Sequence, residues 1–128
     1  MSIKLPHVLI SILAIFAPAQ EMILSVLGLI AVDMITGIIA ARKRGEAIDS
    51  AGLRRSISKL FVYEVALMAA FIAQHYLMKD TVQIASIIAG YVGLTETVSI
   101  LENLNSIQGG DLLKKIIDQI GSKNQKAE

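Results

Sequence analysis

The chain has 128 residues, enough for one domain, with 54% hydrophobic residues, 18% charged residues and a formal net charge of +1. A soluble domain is typically about 45–50% apolar and about 25% charged, so the balance leans toward lipid, and the near-neutral charge gives no argument for nucleic acid as a partner. The absence of cysteine excludes disulfides, zinc–thiolate sites and thiol nucleophiles.

The arrangement of the residues is more informative than their totals. Charges crowd into a central stretch and a C-terminal tail, and the segments between carry almost none. The first apolar stretch, residues 5–19, is ~22 Å long as a helix, short of the ~30 Å hydrocarbon core. A short span, a re-entrant piece and an interfacial helix all fit it. Lys4, the apolar residues after it and Ala17-Pro18-Ala19 also imitate a secretory signal, although its basic region is weak. Pro18 to Glu21 predicts a turn. Residues 22–41 form the second stretch, with Asp33 as its one charge and a length suited to a full span. Residues 59–78 form the third, interrupted by Glu64, Gln74 and His75, and residues 81–101 the fourth, with Gln83 and Glu96. The link around Lys79 and Asp80 is short enough to make the last two an antiparallel hairpin.

Residues 42–58 form a polar centre. With Lys59 it holds six of the twelve basic residues, Arg42, Lys43, Arg44, Arg54, Arg55 and Lys59, opposed by Glu46 and Asp49. Short loops dense in Lys and Arg stay cytoplasmic, so this loop sets topology. The Lys79–Asp80 link then lies outside and the C-terminus inside. If residues 5–19 span, there are four spans and a cytoplasmic N-terminus; otherwise there are three and an external one. Trp is absent, and Tyr63, Tyr76 and Tyr91 are the candidate interfacial anchors.

Beyond Leu101 the sequence predicts a polar joint from Asn103 to Gly110. An amphipathic helix follows, with Asp111 as N-cap, Leu112, Leu113, Ile116, Ile117 and Ile120 on one face, Lys114, Lys115 and Asp118 on the other, and Gly121 as its end. It suits the cytoplasmic membrane surface or a neighbouring subunit. The remaining tail reads as disordered. The predicted fold is therefore all-α: a helical transmembrane protein of three or four spans with a C-terminal amphipathic helix. Its divisions are residues 1–21, 22–102 and 103–128.

Asp33, Glu64 and Glu96 are the informative residues. A carboxylate in a bilayer costs a few kcal/mol even on lenient scales, so it needs a partner, water or a proton. Counted from the predicted span ends, the three lie ~12, ~7.5 and ~7.5 Å from the cytoplasmic boundary, which predicts one layer of acids. They could pair with Lys59, Arg54 or Arg55 or bond Thr36 and Thr95, sit at subunit contacts or a wet lumen, or bind ions. The sequence leaves all three open. Ser86 with Gly90, and Ala66 with Ala70, place small residues four apart, a spacing that favours helix packing in lipid. His7 and His75 read as interfacial, Gly90 to Gly93 lacks the Lys of a phosphate loop, and no nucleophile–base arrangement is visible. Neither catalysis nor a cofactor or metal is expected.

These residues also carry a family resemblance. Asp33, Thr36 and Gly37, closing an apolar helix before a basic loop, resemble the Asp-x-x-Thr-Gly signature of the toxin-secretion/phage-lysis holin family. Ser50 through Lys59 resembles that family's Gly-containing loop, and Glu96 to Asn103, with Ser99 and Glu102 between, is similar to its Glu-x-x-Ser-Ile-Leu-Glu-Asn signature. The sequence departs at Thr95, where Asn is expected, and in the joint after Asn103, where many relatives have a Pro-containing turn. The resemblance runs from Met22 to Ile120. It implies a multi-pass protein of the bacterial cytoplasmic membrane that forms homo-oligomers among membrane lipids. It also implies timed lesions that release an endolysin, without required direct contact, or a toxin. A non-lytic membrane scaffold, a small ion-transport subunit and a water-soluble helical bundle remain as alternatives from the residues alone.

Overall fold

The computed structural model describes residues 5–124, and Lys4 and the last four residues of the tail lie outside them. Five α-helices follow in order: α1 (Leu5–Phe16), α2 (Gln20–Lys43), α3 (Ser50–Ile72), α4 (Ile84–Gln108) and α5 (Leu112–Asn124). No strand occurs among the described residues.

Three helical runs are long and apolar enough to cross a bilayer: Pro6–Lys43, Ser50–Leu77 and Ile84–Gln108. The predicted turn at Pro18 is instead a single 3₁₀ turn, Ala17–Ala19, that joins α1 to α2. Proline is tolerated there because the first N–H groups of a new turn have no intrahelical partner. The polar centre is also shorter than predicted. Asp49 caps α3 with its carboxylate, accepting from the Gly52 N–H at 3.0 Å, so residues 50–58 are helical and the loop is confined to residues 44–49.

α3 ends in a π turn, Ala73–Leu77, before a tight link to α4. Lys79 and Asp80 are both left-handed (φ 49° and 58°), uncommon for residues other than glycine. α4 continues through the predicted joint to Gln108, where left-handed Gly109 and Gly110 stop it. The first turn of α5 is capped by Asn105, whose Oδ1 accepts from Leu113 N–H at 3.1 Å. Gly121 lies inside α5 and does not terminate it, and residues 122–124, predicted as disordered tail, are helical.

α2, α3 and α4 pack around a small core of Val26, Ile30, Leu67, Ala70, Phe71, Ala85 and Val92, joined by Ala19. On α4, Gly93 faces Leu29 of α2, where a Cβ would make an ordinary contact at 3.7 Å. Large apolar residues such as Phe61, Ile87, Tyr91 and Leu94 face outward. A soluble bundle hides such residues; this one carries them around its circumference, as a lipid-facing surface does. At one end of the bundle the basic loop meets the end of α4: Lys43 Nζ donates to the Ile107 carbonyl, and Arg44 Nη1 to Ser106 Oγ at 2.9 Å. The Lys79–Asp80 link lies at the other end.

Candidate functional site

Two helical spacings build the candidate site. On α2, Asp33, Thr36 and Gly37 stand three and four residues apart, and on α4 Glu96, Ser99 and Asn103 stand three and seven apart, so each set occupies one face. α3 contributes Lys59 between them. Lys59 Nζ lies 2.9 Å from Asp33 Oδ2 and 2.9 Å from Glu96 Oε2, bringing all three helices to one ammonium. Asn103 Nδ2 donates to Asp33 Oδ1 at 3.0 Å and approaches the Asp33 carbonyl at 3.3 Å and Thr36 Oγ1 at 3.2 Å. Gly37 faces that amide, and a Cβ there would make an ordinary contact with Asn103 Nδ2 at 3.5 Å.

The three charged groups differ in their access to water. Glu96 is fully buried, and the Lys59 ammonium 2.9 Å from Oε2 is the polar group that meets it among the described residues. Asp33 and Lys59 border a cavity of about 410 Å³ that runs past Ser56 and Arg55 to the basic loop. The node therefore has a dry member on α4 and two members that reach the polar end of the bundle. One cation faces two carboxylates, leaving the node short of positive charge if both acids are ionised. Buried ion pairs are expensive to desolvate, and removing one partner is worse than lacking the pair altogether.

Among the alternatives for the acids' partners, the structure selects Lys59. Arg54 and Arg55 are exposed. Thr36 Oγ1 donates to the Val32 carbonyl, and Thr95 Oγ1 to the Tyr91 carbonyl at 2.9 Å rather than to Glu96. Two of the three expected acids meet. Glu64 is half-buried elsewhere on α3, and its occluded oxygens have no hydrogen-bond partner among the described residues. Lys59 and Glu64 are five residues apart, about 140° around the helix, which turns Glu64 off the node. Glu102 and Arg42 are exposed. Arg44 is held by Glu46, with Nε 2.7 Å from Oε1, and that hydrogen bond keeps the Glu46 carboxyl below its ordinary range.

The small-residue pairs are placed differently from one another. Ala70 is buried and Ala66 exposed; Ser86 and Gly90 are both exposed, with nothing within 4 Å of a Cβ on Gly90. The packed face of α4 is the neighbouring one, with Ala85, Val92 and Gly93.

A second polar cluster, at the opposite end, was not predicted. Buried Gln74 accepts from the Ala85 N–H at 2.9 Å, and its Nε2 reaches Asp80 Oδ1 at 3.2 Å and Gln83 Oε1 at 3.1 Å. His75 Nδ1 lies 2.9 Å from Asp80 Oδ2, and its ring stacks on Phe71. The bond from Gln74, then that from His75, holds the Asp80 carboxyl below its ordinary range. The signal was present in the sequence: Gln74 and Gln83 are uncharged polar residues flanking the link in otherwise apolar runs. Among the described residues no group of three His, Cys, Asp or Glu side chains is placed to hold a metal ion.

A family model described as the bacteriophage holin family matches residues 10–122, nearly the whole chain and every residue of the node. No curated protein and no solved structure matches.

Proposed function

We propose that this chain, which belongs to the bacteriophage holin family, associates with copies of itself in the bacterial cytoplasmic membrane and opens lesions that release an endolysin, or a toxin, during lysis. The observation that carries the reading is the Lys59 node, which joins the two family signatures across three membrane-length helices. In lipid, helices gain little by hiding apolar area from each other, so polar groups and close packing govern association. The node holds the chain together internally. The outward Ser86–Gly90 face supports association between copies, and Glu64, whose occluded oxygens have no hydrogen-bond partner among the described residues, favours rearrangement on assembly. An ionised acid with no partner inside a membrane-length helix is costly, and a rearrangement that brings it a neighbour or water relieves it.

The basic loop and the C-terminus lie on the cytoplasmic side in this reading, with the Lys79–Asp80 link outside. α5 rests on the inner membrane surface: Leu112, Leu113 and Ile116 are half-buried, and Ile117 and Ile120 remain exposed for lipid. The endolysin is a functional partner that needs no direct contact.

Expression in a bacterium, with membrane potential and escape of a cytoplasmic enzyme recorded separately, tests the proposal. Abrupt loss of both supports a lesion wide enough for protein. Loss of potential alone would mean an ion-sized pore, and loss of neither would reject the lytic reading.

A further inference from the structure

The run Pro6–Lys43 has 38 residues, ~57 Å as a helix, nearly twice the ~30 Å hydrocarbon core. α2 alone, 24 residues and ~36 Å, covers the length of the bundle. It begins beside Phe71 and the start of α4 and ends at Lys43 against Ile107. α1 therefore starts where the bundle stops, at the end opposite the basic loop.

The described ties between α1 and the bundle are at its C-terminal end. The Phe16 ring packs on Phe71 with centroids 6.4 Å apart, and the Ile15 carbonyl accepts from the Tyr76 hydroxyl at 3.0 Å. Residues 6–15 are all exposed. Val8, Leu9, Ile10, Ile12, Leu13 and Ile15 are among them, and at 100° per residue they span about 220° of the helix, with His7, Ser11 and Ala14 in the remaining sector. A helix lying in a leaflet buries such a broad apolar arc among acyl chains and turns its narrower polar side toward the headgroups. Twelve residues are too few to cross the core again, and a charge-free helix of this kind does not stand in water. Phe16, just before the 3₁₀ turn at Ala17–Ala19, and Ala19, its last residue, have ψ of −3° and 1°, away from α-helical values, and interrupt the regular helix between α1 and α2.

We infer that α1 lies along the membrane leaflet opposite the basic loop, immersed among the upper acyl chains and hinged at Ala17–Ala19, with lipid as its partner. Naming that leaflet the outer one rests on the orientation proposed above; the immersion itself does not. Tyr76 at the hinge matches the place where tyrosine rings favour the membrane–water boundary.

The chain lacks native cysteine, so single-site probes are clean. Val8→Cys, Ile12→Cys and Ile15→Cys, each carrying a fluorophore, are placed in phosphatidylethanolamine–phosphatidylglycerol vesicles. The vesicles contain lipids brominated either near the headgroup or deep in the acyl chain. The expected result is stronger quenching by the shallow bromines at all three sites, with the same shallow-to-deep ratio. A ratio that changes steadily from Val8 to Ile15, over ~10 Å of helix, would mean that α1 crosses the membrane and would overturn the inference. Quenching by aqueous iodide alone would place α1 in water, and quenching by neither would place it under a second copy; either result overturns it. None of these outcomes depends on lysis, so the inference and the proposed function fail separately.

Discussion

The two ends of the bundle solve the same problem with different chemistry. Both bring polar groups into a largely apolar helical bundle, and both tie α3 to α4. At the basic end the tie is ionic: Lys59 holds Asp33 and Glu96, one of them fully buried. At the other end it is an amide: Gln74 satisfies a backbone N–H and two side chains of the link. A charged tie is costly to desolvate, and losing one of its partners strands a buried charge. An amide tie loses hydrogen bonds and strands no charge. Removal of a partner should therefore cost more at the ionic end than at the amide end.

The largest expected effect follows from Lys59→Met. It leaves Asp33 and Glu96 without their cation and should cost about 3–5 kcal/mol, read as a lower unfolding midpoint of the purified protein in detergent. Gln74→Leu strands the Ala85 N–H and removes the amide from Asp80 Oδ1, leaving His75 on Oδ2, and should cost about 1–3 kcal/mol in the same measurement. If Gln74→Leu proves as damaging as Lys59→Met, the contrast between the two ends is wrong. Asn103→Leu removes the amide from Asp33 and Thr36 while leaving the ion pairs, and should cost about 1–2 kcal/mol.

Gly37→Ala should change stability by less than about 1 kcal/mol, because the added Cβ makes an ordinary contact with Asn103 and Ala favours the helix. Gly37→Leu, which would displace the Asn103 amide, should lose stability comparable to Asn103→Leu. Equal losses for Gly37→Ala and Gly37→Leu would mean that glycine serves something other than room for that amide.

The smallest effect concerns pH at the link. The Asp80 carboxyl is lowered first by Gln74 and then by His75, so the stability it contributes is present above its unfolded pKa of about 3.9 and is lost as pH falls through the lower folded value. Hydrogen exchange at the link should accelerate only in acid below that range, and Asp80→Asn should abolish the dependence.

The ends also differed in how legible they were. The ionic end could be read because a carboxylate in an apolar run is unusual by itself, and because Asp33, Thr36, Glu96 and Asn103 follow helical spacing. The choice of Lys59 over Arg54 and Arg55 could not be read, since it depends on the rotation of α3. The same rotation separates Glu64 from the other acids. The amide end was obscured because Gln74 and Gln83 are neutral, and neutral amides in apolar runs do not by themselves announce a partner. Helix limits were missed where side chains, not hydropathy, decide them: Asp49 starts α3 nine residues before the apolar run, and Gly109 rather than Asn103 marks the end of α4.

The role assigned to the ionic end is tested most directly by the onset of potential loss in cells holding equal membrane amounts of the unaltered chain, Asp33→Leu and Glu96→Leu. Abrupt depolarisation with the unaltered chain, and a displaced onset with both variants, is the predicted result. An onset identical in all three, or no depolarisation with the unaltered chain, would contradict it.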